Sequence, residues 1–164
     1  MVIIVSGLPG SGKSFFAEKL SKLLNAEYFS SDIIRKELFQ NPAYTDEEKE
    51  AVYAEMKIQM NKVLSEKKNV ILDATFFKDD LRKSFCKACI QHKTNCKIII
   101  ISASDEDIRH RVSLKRPFSD ADYSVYLKMK ERFELPDTDF LELDSSNCDI
   151  NLMLTKAVAY LNAN

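Results

Sequence analysis

The sequence predicts an α/β fold in which helices flank a parallel β-sheet. Runs of mainly aliphatic residues at 2–6, 70–73 and 97–102 have the continuous apolar character of strands that are buried on both faces. Helical hydrophobic patterns alternate with these runs along the chain. The three glycines of the chain all lie between residues 7 and 12, directly after the first run. Alternation of strands and helices is typical of one layered domain, which we expect to span residues 1–164.

The remaining elements are weaker strands and a series of helices. Residues 28–30 and 140–144 are short strand candidates. The first helix begins near Lys13, another begins near Ile33, and a longer one follows the capping-box pattern that starts at Thr45. Later helices are indicated by apolar residues at helical spacing, namely Leu81 and Phe85, then Ala121, Val125, Met129 and Phe133, and finally Ile150, Met153, Ala157 and Leu161.

The composition is that of an ordinary globular protein. Hydrophobic residues make up 45% and charged residues 30% of the chain, and the formal net charge is -1. This balance disfavours a long polyanion as an obligatory partner. The longest aliphatic runs, at 2–5 and 98–101, are far shorter than the ~20 residues that span a bilayer, so we expect no membrane association. Without a signal-peptide pattern, the four cysteines are expected to be reduced thiols in the cytoplasm.

The glycines belong to a phosphate-binding motif. Residues 7–14 match the pattern G-x-x-x-x-G-K-S/T without a mismatch. In this pattern the glycines let backbone N–H groups curl around a phosphate, the lysine reaches the β- and γ-phosphates, and the serine hydroxyl ligates Mg²⁺. A buried-type strand before the motif and a helix after it are the context that it requires. We therefore predict a nucleotide site, with Ser14 on the metal, formed by Gly7, Leu8, Pro9, Gly10, Ser11, Gly12, Lys13, Ser14 and Phe15.

Two aspartates lie where strands are expected to end. Asp73 closes the apolar run 70–72 and resembles the second acidic signature of phosphate-loop proteins, whose carboxylate holds Mg²⁺ directly or through water. Asp32 follows the short strand at 28–30. There it is either the N-cap of the next helix or a general base for an acceptor hydroxyl, and the residues alone favour neither role.

Taken together, these motifs resemble the small P-loop kinases grouped as predicted ATP-binding kinases. That group is similar to the kinase domain of polynucleotide 5′-hydroxyl kinases and, more distantly, to zeta-toxin-type kinases. The resemblance covers nearly the whole chain. It is carried by the motif at 7–14, by Ser31-Asp32-x-x-Arg35, by residues 70–75 with Arg82 following, by the basic segment 109–116, and by Ser-Asp-Ala-Asp at 119–122.

The resemblance implies a single-domain P-loop NTPase fold with a five-stranded parallel sheet in the order 2-3-1-4-5 and a helical lid around residues 105–134. It implies transfer of the γ-phosphate of ATP to a hydroxyl group, with Mg²⁺ as cofactor. On this comparison Asp32 is the general base and Arg35 contacts the acceptor. Asp73 lies beside both metal and acceptor, and Arg82 completes the acceptor site.

The basic segment 109–116 is expected to supply lid arginines. Phosphoryl transfer develops charge on the equatorial oxygens, and an arginine that closes over them stabilises that charge. We predict this role for Arg111 and Arg116, although Arg109 and Lys115 lie on the same expected helix, which ends near Pro117. The alternative is a solvated helical face whose cations interact with the helix dipole. Which of the four basic residues contacts the phosphate stays open.

The expected function is that of an ATP-dependent kinase without an obligatory protein partner. The acceptor is a small molecule, a nucleoside or the 5′-hydroxyl end of a nucleic acid, and the sequence does not choose between them. The alternative is a nucleotide-dependent switch or binding module without phosphotransfer. A zinc site at Cys86, Cys89, His92 and Cys96 is disfavoured because Cys89 shares the apolar face of its helix. Phe76 and Phe77 belong to the core or line an acceptor pocket.

Overall fold

The computed structural model describes residues 1–114, 123–146 and 149–163. Its strands and helices alternate along the chain, as the sequence predicts. The strands are β1 (Val2–Ser6), β2 (Glu27–Ser30), β3 (Val70–Asp73), β4 (Cys96–Ser102) and β5 (Leu141–Asp144). The helices are α1 (Lys13–Leu24), α2 (Ser31–Leu38), α3 (Asp46–Ser65), α4 (Asp79–Gln91), α5 (Asp105–Ser113), α6 (Tyr123–Lys130) and α7 (Ile150–Asn162).

The strands form one parallel sheet in the order β2-β3-β1-β4-β5, which confirms the predicted topology. β1 lies at the centre, where Val5 is opposite Asp73 of β3. On the far side of β3, Ser30 of β2 is also opposite Asp73. The carboxyl ends of β1, β2 and β3 therefore meet at one edge, where open α/β sheets bind their ligands.

Helices cover both faces of the sheet, and the alternation of side chains along β1 divides the core in two. Val2 and Ile4 point to the face covered by α3 and α4, where they pack with residues such as Met56 and Phe85. Ile3 and Val5 point to the opposite face, which is covered by α1 and α7. Each β1 residue is buried, and this explains why the run reads as continuously apolar rather than alternating.

Several element boundaries differ from the expectations. α2 begins at Ser31 with Ser30 as N-cap, so Asp32 lies in the first turn of the helix and is not its cap. The capping residue Thr45 is as predicted, since its hydroxyl accepts a hydrogen bond from the Glu48 N–H at 3.3 Å. The expected end of the basic helix near Pro117 and the expected helix start at 119–122 lie outside the described residues.

Two of the cysteines are not the reduced thiols that the sequence predicted. Cys86 and Cys96 form a disulfide, whereas reduced thiols were expected. α4 packs beside the start of β4 and brings the two Cα atoms to 5.2 Å, within the usual range for a disulfide. Cys89 is a buried free thiol, as its place on the apolar face of α4 predicts. In the described parts of the chain, no helix has the length and apolar character needed to cross a bilayer.

Candidate functional site

The phosphate-binding motif forms the loop between β1 and α1. Gly10 and Gly12 have φ values of 84° and 86°, in the left-handed region that side chains disfavour. Gly12 is the N-cap of α1, so the helix begins at Lys13 and its first N–H groups face the loop. A Cβ on Gly7 would lie 2.4 Å from the carbonyl oxygen of Ile101. The loop therefore has the backbone conformation and the close packing that explain its glycines.

Two residues from distant parts of the chain support this loop. The Ser145 hydroxyl donates a hydrogen bond to the Ser11 carbonyl at 2.7 Å. Arg111 of α5 donates to the hydroxyl of Ser145 at 2.8 Å and to its carbonyl at 2.9 Å, and more weakly to the Gly10 carbonyl at 3.4 Å. Arg111, predicted as a phosphate contact, thus lies against the loop itself. Ser145 was missed, and its position directly after a strand that ends at the same sheet edge was the available signal.

Asp73 lies buried at the carboxyl end of β3. One carboxylate oxygen, Oδ2, accepts a hydrogen bond from the Tyr28 hydroxyl at 2.7 Å. Burial and the negative charge of Asp73 raise the pKa of the Tyr28 phenol, which keeps it protonated as a donor. The other oxygen, Oδ1, is buried and has no hydrogen-bond partner within the described residues. An unpaired buried carboxylate oxygen fits a ligand for Mg²⁺ or for its bound water.

A pocket of about 400 Å³ lies beside the phosphate loop. Lys13 and Pro9 of the loop line one side of it, and Asp32 and Arg35 of α2 line another. The structure thus brings the predicted base and the loop lysine to the same cavity. The remaining lining residues come from the segment before α3, from α3, from the loop after β3 and from α6 and its end, namely Ser31, Tyr44, Lys49, Tyr53, Thr75, Phe77, Val125, Lys128, Met129 and Arg132.

Arg35 lines this pocket but is largely buried, with only 7% of the residue exposed, and its side chain is held in place by its neighbours. Its Nη1 donates to Oε2 of Glu48 at 3.3 Å, and its guanidinium lies 5.0 Å from the Tyr44 ring centroid. Glu48 also accepts hydrogen bonds from the N–H groups of Ala43 and Tyr44 at 2.9 and 2.7 Å. These backbone bonds, the bond from Ala43 foremost, and the charge of Arg35 hold the pKa of Glu48 below its usual range. The carboxylate therefore stays charged and keeps the guanidinium at the pocket wall.

Arg82, predicted to contact the acceptor, is in fact a buried support for the loop after β3. Its side chain is fully buried and donates hydrogen bonds to the carbonyls of Phe76 and Glu134 and to Asp79. It does not line the pocket. The sequence showed that Arg82 follows the loop but gave no sign of its burial. The burial of Arg82 and its absence from the pocket lining argue against an acceptor contact and favour a role as a support of the loop.

The two phenylalanines after β3 have different environments. Phe76 has φ 45° and is fully buried in the core, where its N–H donates to the Tyr53 hydroxyl at 3.2 Å. Phe77 lines the pocket. Arg82 donates to the Phe76 carbonyl, so side chains hold both the N–H and the carbonyl of Phe76 in its left-handed conformation. This fixed backbone directs the next residue, Phe77, to the pocket.

The other predicted residues are less informative. Phe15 is 59% exposed, with the Lys19 ammonium 5.6 Å from its ring centroid. The Arg109 guanidinium lies over the Tyr123 ring at 5.6 Å. Lys115 and Arg116 lie outside the described residues. A larger groove of about 820 Å³ runs along β2 between α2 and α3, but no phosphate-loop residue lines it.

Comparison with known proteins identifies the family of this chain. The sequence profile of a family described as an AAA domain, AAA_33, matches residues 2–136. This match confirms the P-loop kinase-like domain that the sequence motifs indicate. It includes the phosphate loop, α2, β3 and α6, and thus every element that lines the pocket.

Solved structures that share the fold include the following three. Kti12 from Chaetomium thermophilum, solved with ADP-AlF3, has a TM-score of 0.75 and 22% identity over 97% of this chain and 98% of that one. A gluconokinase from Sinorhizobium meliloti has a TM-score of 0.73 and 16% identity, over 96% of this chain and 89% of that one. The Mycobacterium tuberculosis APS kinase CysC, in complex with AMPPNP and APS, has a TM-score of 0.72 and 15% identity, over 99% and 97%.

Proposed function

The chain belongs to the AAA domain family, and from that premise we propose that it is an ATP-dependent kinase that phosphorylates a hydroxyl group. One observation carries the proposal. Lys13 of the phosphate loop and Asp32 of α2 line the same pocket, so a carboxylate lies beside the expected position of the terminal phosphate. A site that only binds or hydrolyses a nucleotide does not require an acceptor-sized cavity with a base in it.

ATP binds with its phosphates in the loop from Gly7 to Ser14 in this proposal. Backbone N–H groups of the loop and of the first turn of α1 surround the phosphates, and Lys13 reaches the β- and γ-phosphates. Ser14 and Asp73 would hold Mg²⁺, which would supply positive charge to stabilise the phosphate oxygens. The buried unpaired Oδ1 of Asp73 supports this assignment.

Asp32 acts as the general base. Its carboxylate orients the acceptor hydroxyl and accepts the proton as the oxygen attacks the γ-phosphorus, and ADP leaves on the opposite side. Its carboxylate lies in the first turn of α2, at the positive end of the helix dipole. Arg35 contacts the acceptor from the next turn of the same helix.

Arg111 and Arg116 remain the proposed lid arginines, and α5 and α6 carry the lid. The bonds of Arg111 to Ser145 and Gly10 support a role beside the phosphate loop. To contact a phosphate directly, the Arg111 guanidinium must give up some of its hydrogen bonds to Ser145 and Gly10. The assignment of residues 1–164 to one domain, the cytoplasmic location and the lack of an obligatory protein partner stay predictions.

Transfer of label from γ-labelled ATP tests the proposal. The purified chain is incubated with Mg²⁺ and a panel of nucleosides, sugars, sugar acids and a 5′-hydroxyl oligonucleotide, and labelled products are separated from phosphate. We expect label on at least one alcohol and none with Lys13→Ala, because the loop then lacks its phosphate-binding cation. Release of labelled phosphate with no labelled alcohol in the panel would favour a nucleotide-dependent switch instead.

A further inference from the structure

The pocket beside the phosphate loop has a strongly positive lining for a chain that is close to neutral. The chain carries a formal net charge of -1. The pocket is lined by one carboxylate, Asp32, and by five basic side chains, Lys13, Arg35, Lys49, Lys128 and Arg132. Charge of one sign in a cleft raises the local concentration of ligands of the opposite sign. Lys13 belongs to the phosphate loop. Of the other four cations, Arg35 and Lys49 are paired with carboxylates, whereas Lys128 and Arg132 form no ion pair with a described residue.

Arg35 is positioned as an anion-binding group. Glu48 and the Tyr44 ring hold its guanidinium, so little side-chain freedom is lost when a ligand binds. Its hydrogen bond to another described residue goes to Glu48, which leaves most of its five N–H donors for a ligand. The planar arrangement of these donors matches a phosphate or a carboxylate.

Two further cations line the pocket from α6 and the residues after it. Lys128 lies near the end of α6 and Arg132 lies one turn further along the chain. Within residues 1–114, 123–146 and 149–163, neither side chain forms an ion pair, whereas Lys49 is paired with Asp46 at 2.7 Å. Neither charge is therefore neutralised by an ion pair with a described residue, although the charge of Arg132 also acts on Asp46, and both can interact with an anionic molecule in the pocket.

Apolar and aromatic side chains complete the lining. Phe77 faces the pocket from the loop after β3, and Val125 and Met129 face it from α6. The Tyr44 and Tyr53 rings contribute from the segment before α3 and from α3 itself. The volume of about 400 Å³ is that of a site for one small molecule.

We propose that the acceptor is a small alcohol that carries an anionic group, a phosphate or a carboxylate, in addition to its reacting hydroxyl. Arg35, Lys128 and Arg132 bind the anion, Phe77 and Met129 contact the apolar part of the molecule, and the hydroxyl faces Asp32. This inference rests on the proposed kinase function and narrows its substrate class. A neutral alcohol would leave the charges of Lys128 and Arg132 without a ligand of opposite charge in the pocket.

Binding of matched pairs of alcohols tests the inference without requiring turnover. The full chain is saturated with Mg²⁺ and AMPPNP, and calorimetry measures its affinity for uridine against uridine 3′-monophosphate and for glucose against gluconate. The first pair tests a phosphate and the second a carboxylate. In at least one pair we expect the anionic member to bind about tenfold more tightly, the size of one favourable charge contact.

A double substitution assigns the preference to the pocket. Lys128→Gln with Arg132→Gln should remove most of the anionic advantage and leave the affinity for AMPPNP unchanged. The matched control, Lys22→Gln with Lys62→Gln, removes the same charge from exposed positions on α1 and α3 outside this pocket and should keep the advantage.

Three results would overturn the inference. The first is equal binding of the neutral and anionic members of both pairs, and the second is failure of every anionic member to bind. The third is a pocket variant that loses affinity for AMPPNP but still binds the anionic member more tightly, which would assign the cations to the nucleotide. A clear anionic preference without any transfer of label in the kinase assay would leave the anion site standing and reject the kinase proposal.

Discussion

The Tyr28 hydroxyl donates a hydrogen bond to Oδ2 of Asp73 across two neighbouring strands, at 2.7 Å. In the register of these strands Tyr28 is opposite Ile71, so the bond runs diagonally to a residue two positions further along β3. It fixes one oxygen of a buried carboxylate and leaves the other, Oδ1, for a ligand. Tyr28 is thus a positioning residue for the proposed metal site.

Tyr28→Phe should destabilise the protein by about 1–3 kcal/mol, since it leaves a buried carboxylate oxygen without its donor. Urea unfolding followed by circular dichroism measures the change in the free energy of unfolding. Tyr160→Phe is the control, because its hydroxyl donates at 3.3 Å to the carbonyl of Asp139 near the surface and should matter less. Equal losses in the two variants would show that the bond to Asp73 has no special weight.

The sequence predicted those parts of the site that depend on local pattern. The glycine spacing identified the phosphate loop, and the apolar run that ends in Asp73 placed this carboxylate at the sheet edge. The supports of these residues could not be predicted, because they come from far along the chain. The Tyr28–Asp73 and Ser145–Ser11 bonds join residues 45 and 134 positions apart, and no spacing rule connects them.

Arg82→Met should destabilise the protein by about 3 kcal/mol, since the buried carbonyl of Phe76 and the partly buried carbonyl of Glu134 lose their donor together. Methionine fills much of the same volume without the charge, so the loss reports on the hydrogen bonds rather than on a cavity. The free energy of unfolding is measured by urea denaturation. We also expect weaker binding of any acceptor that is found, because the loop that carries Phe77 loses its support.

The neighbouring Lys83 provides the control for this prediction. Its exposed ammonium forms ion pairs with the exposed Asp137 and with the half-buried Asp79, at 2.6 and 2.8 Å. Ion pairs of an exposed ammonium contribute little to stability, so Lys83→Met should have a much smaller effect than Arg82→Met. Comparable destabilisation by both substitutions would contradict the supporting role of Arg82.

Gly7→Ala and Gly12→Ala should both damage the phosphate loop, for different reasons. The new Cβ at Gly7 meets the Ile101 carbonyl at 2.4 Å, and backbone in a central sheet cannot move aside. At Gly12 the nearest atom is the Ser145 hydroxyl at 3.4 Å, and the cost is mainly that of a left-handed residue, about 1–2 kcal/mol. Thermal unfolding should therefore show a larger decrease in melting temperature for Gly7→Ala than for Gly12→Ala. The reverse order would mean that the sheet yields more easily than the loop.

Asp32→Asn should keep the affinity for AMPPNP and reduce phosphate transfer by at least ~10², because the amide cannot accept the hydroxyl proton. Calorimetry gives the affinity, and the labelled-ATP assay gives the rate on the acceptor that the panel identifies. Asp80→Asn, at an exposed position in the first turn of α4, is the control and should transfer at the normal rate. If Asp32→Asn lowers stability but not transfer, Asp32 is a helix-stabilising residue and not the base.

The pH dependence of stability should reveal the burial of Tyr53. Burial raises the pKa of Tyr53 from 10.0 to about 12, so between these values the unfolded chain loses a proton that the folded chain keeps. This contribution to stability is complete below pH 10 and is lost as the pH rises towards 12. Between pH 8.5 and 10.5, the free energy of unfolding measured in urea should fall by roughly 1 kcal/mol more in the wild type than in Tyr53→Phe. The variant also removes the acceptor for the Phe76 N–H, so only the difference between the two pH values is diagnostic. An equal fall in the free energy of unfolding in the two proteins would mean that the Tyr53 hydroxyl reaches solvent. This wall of the pocket would then be more open than its packing indicates.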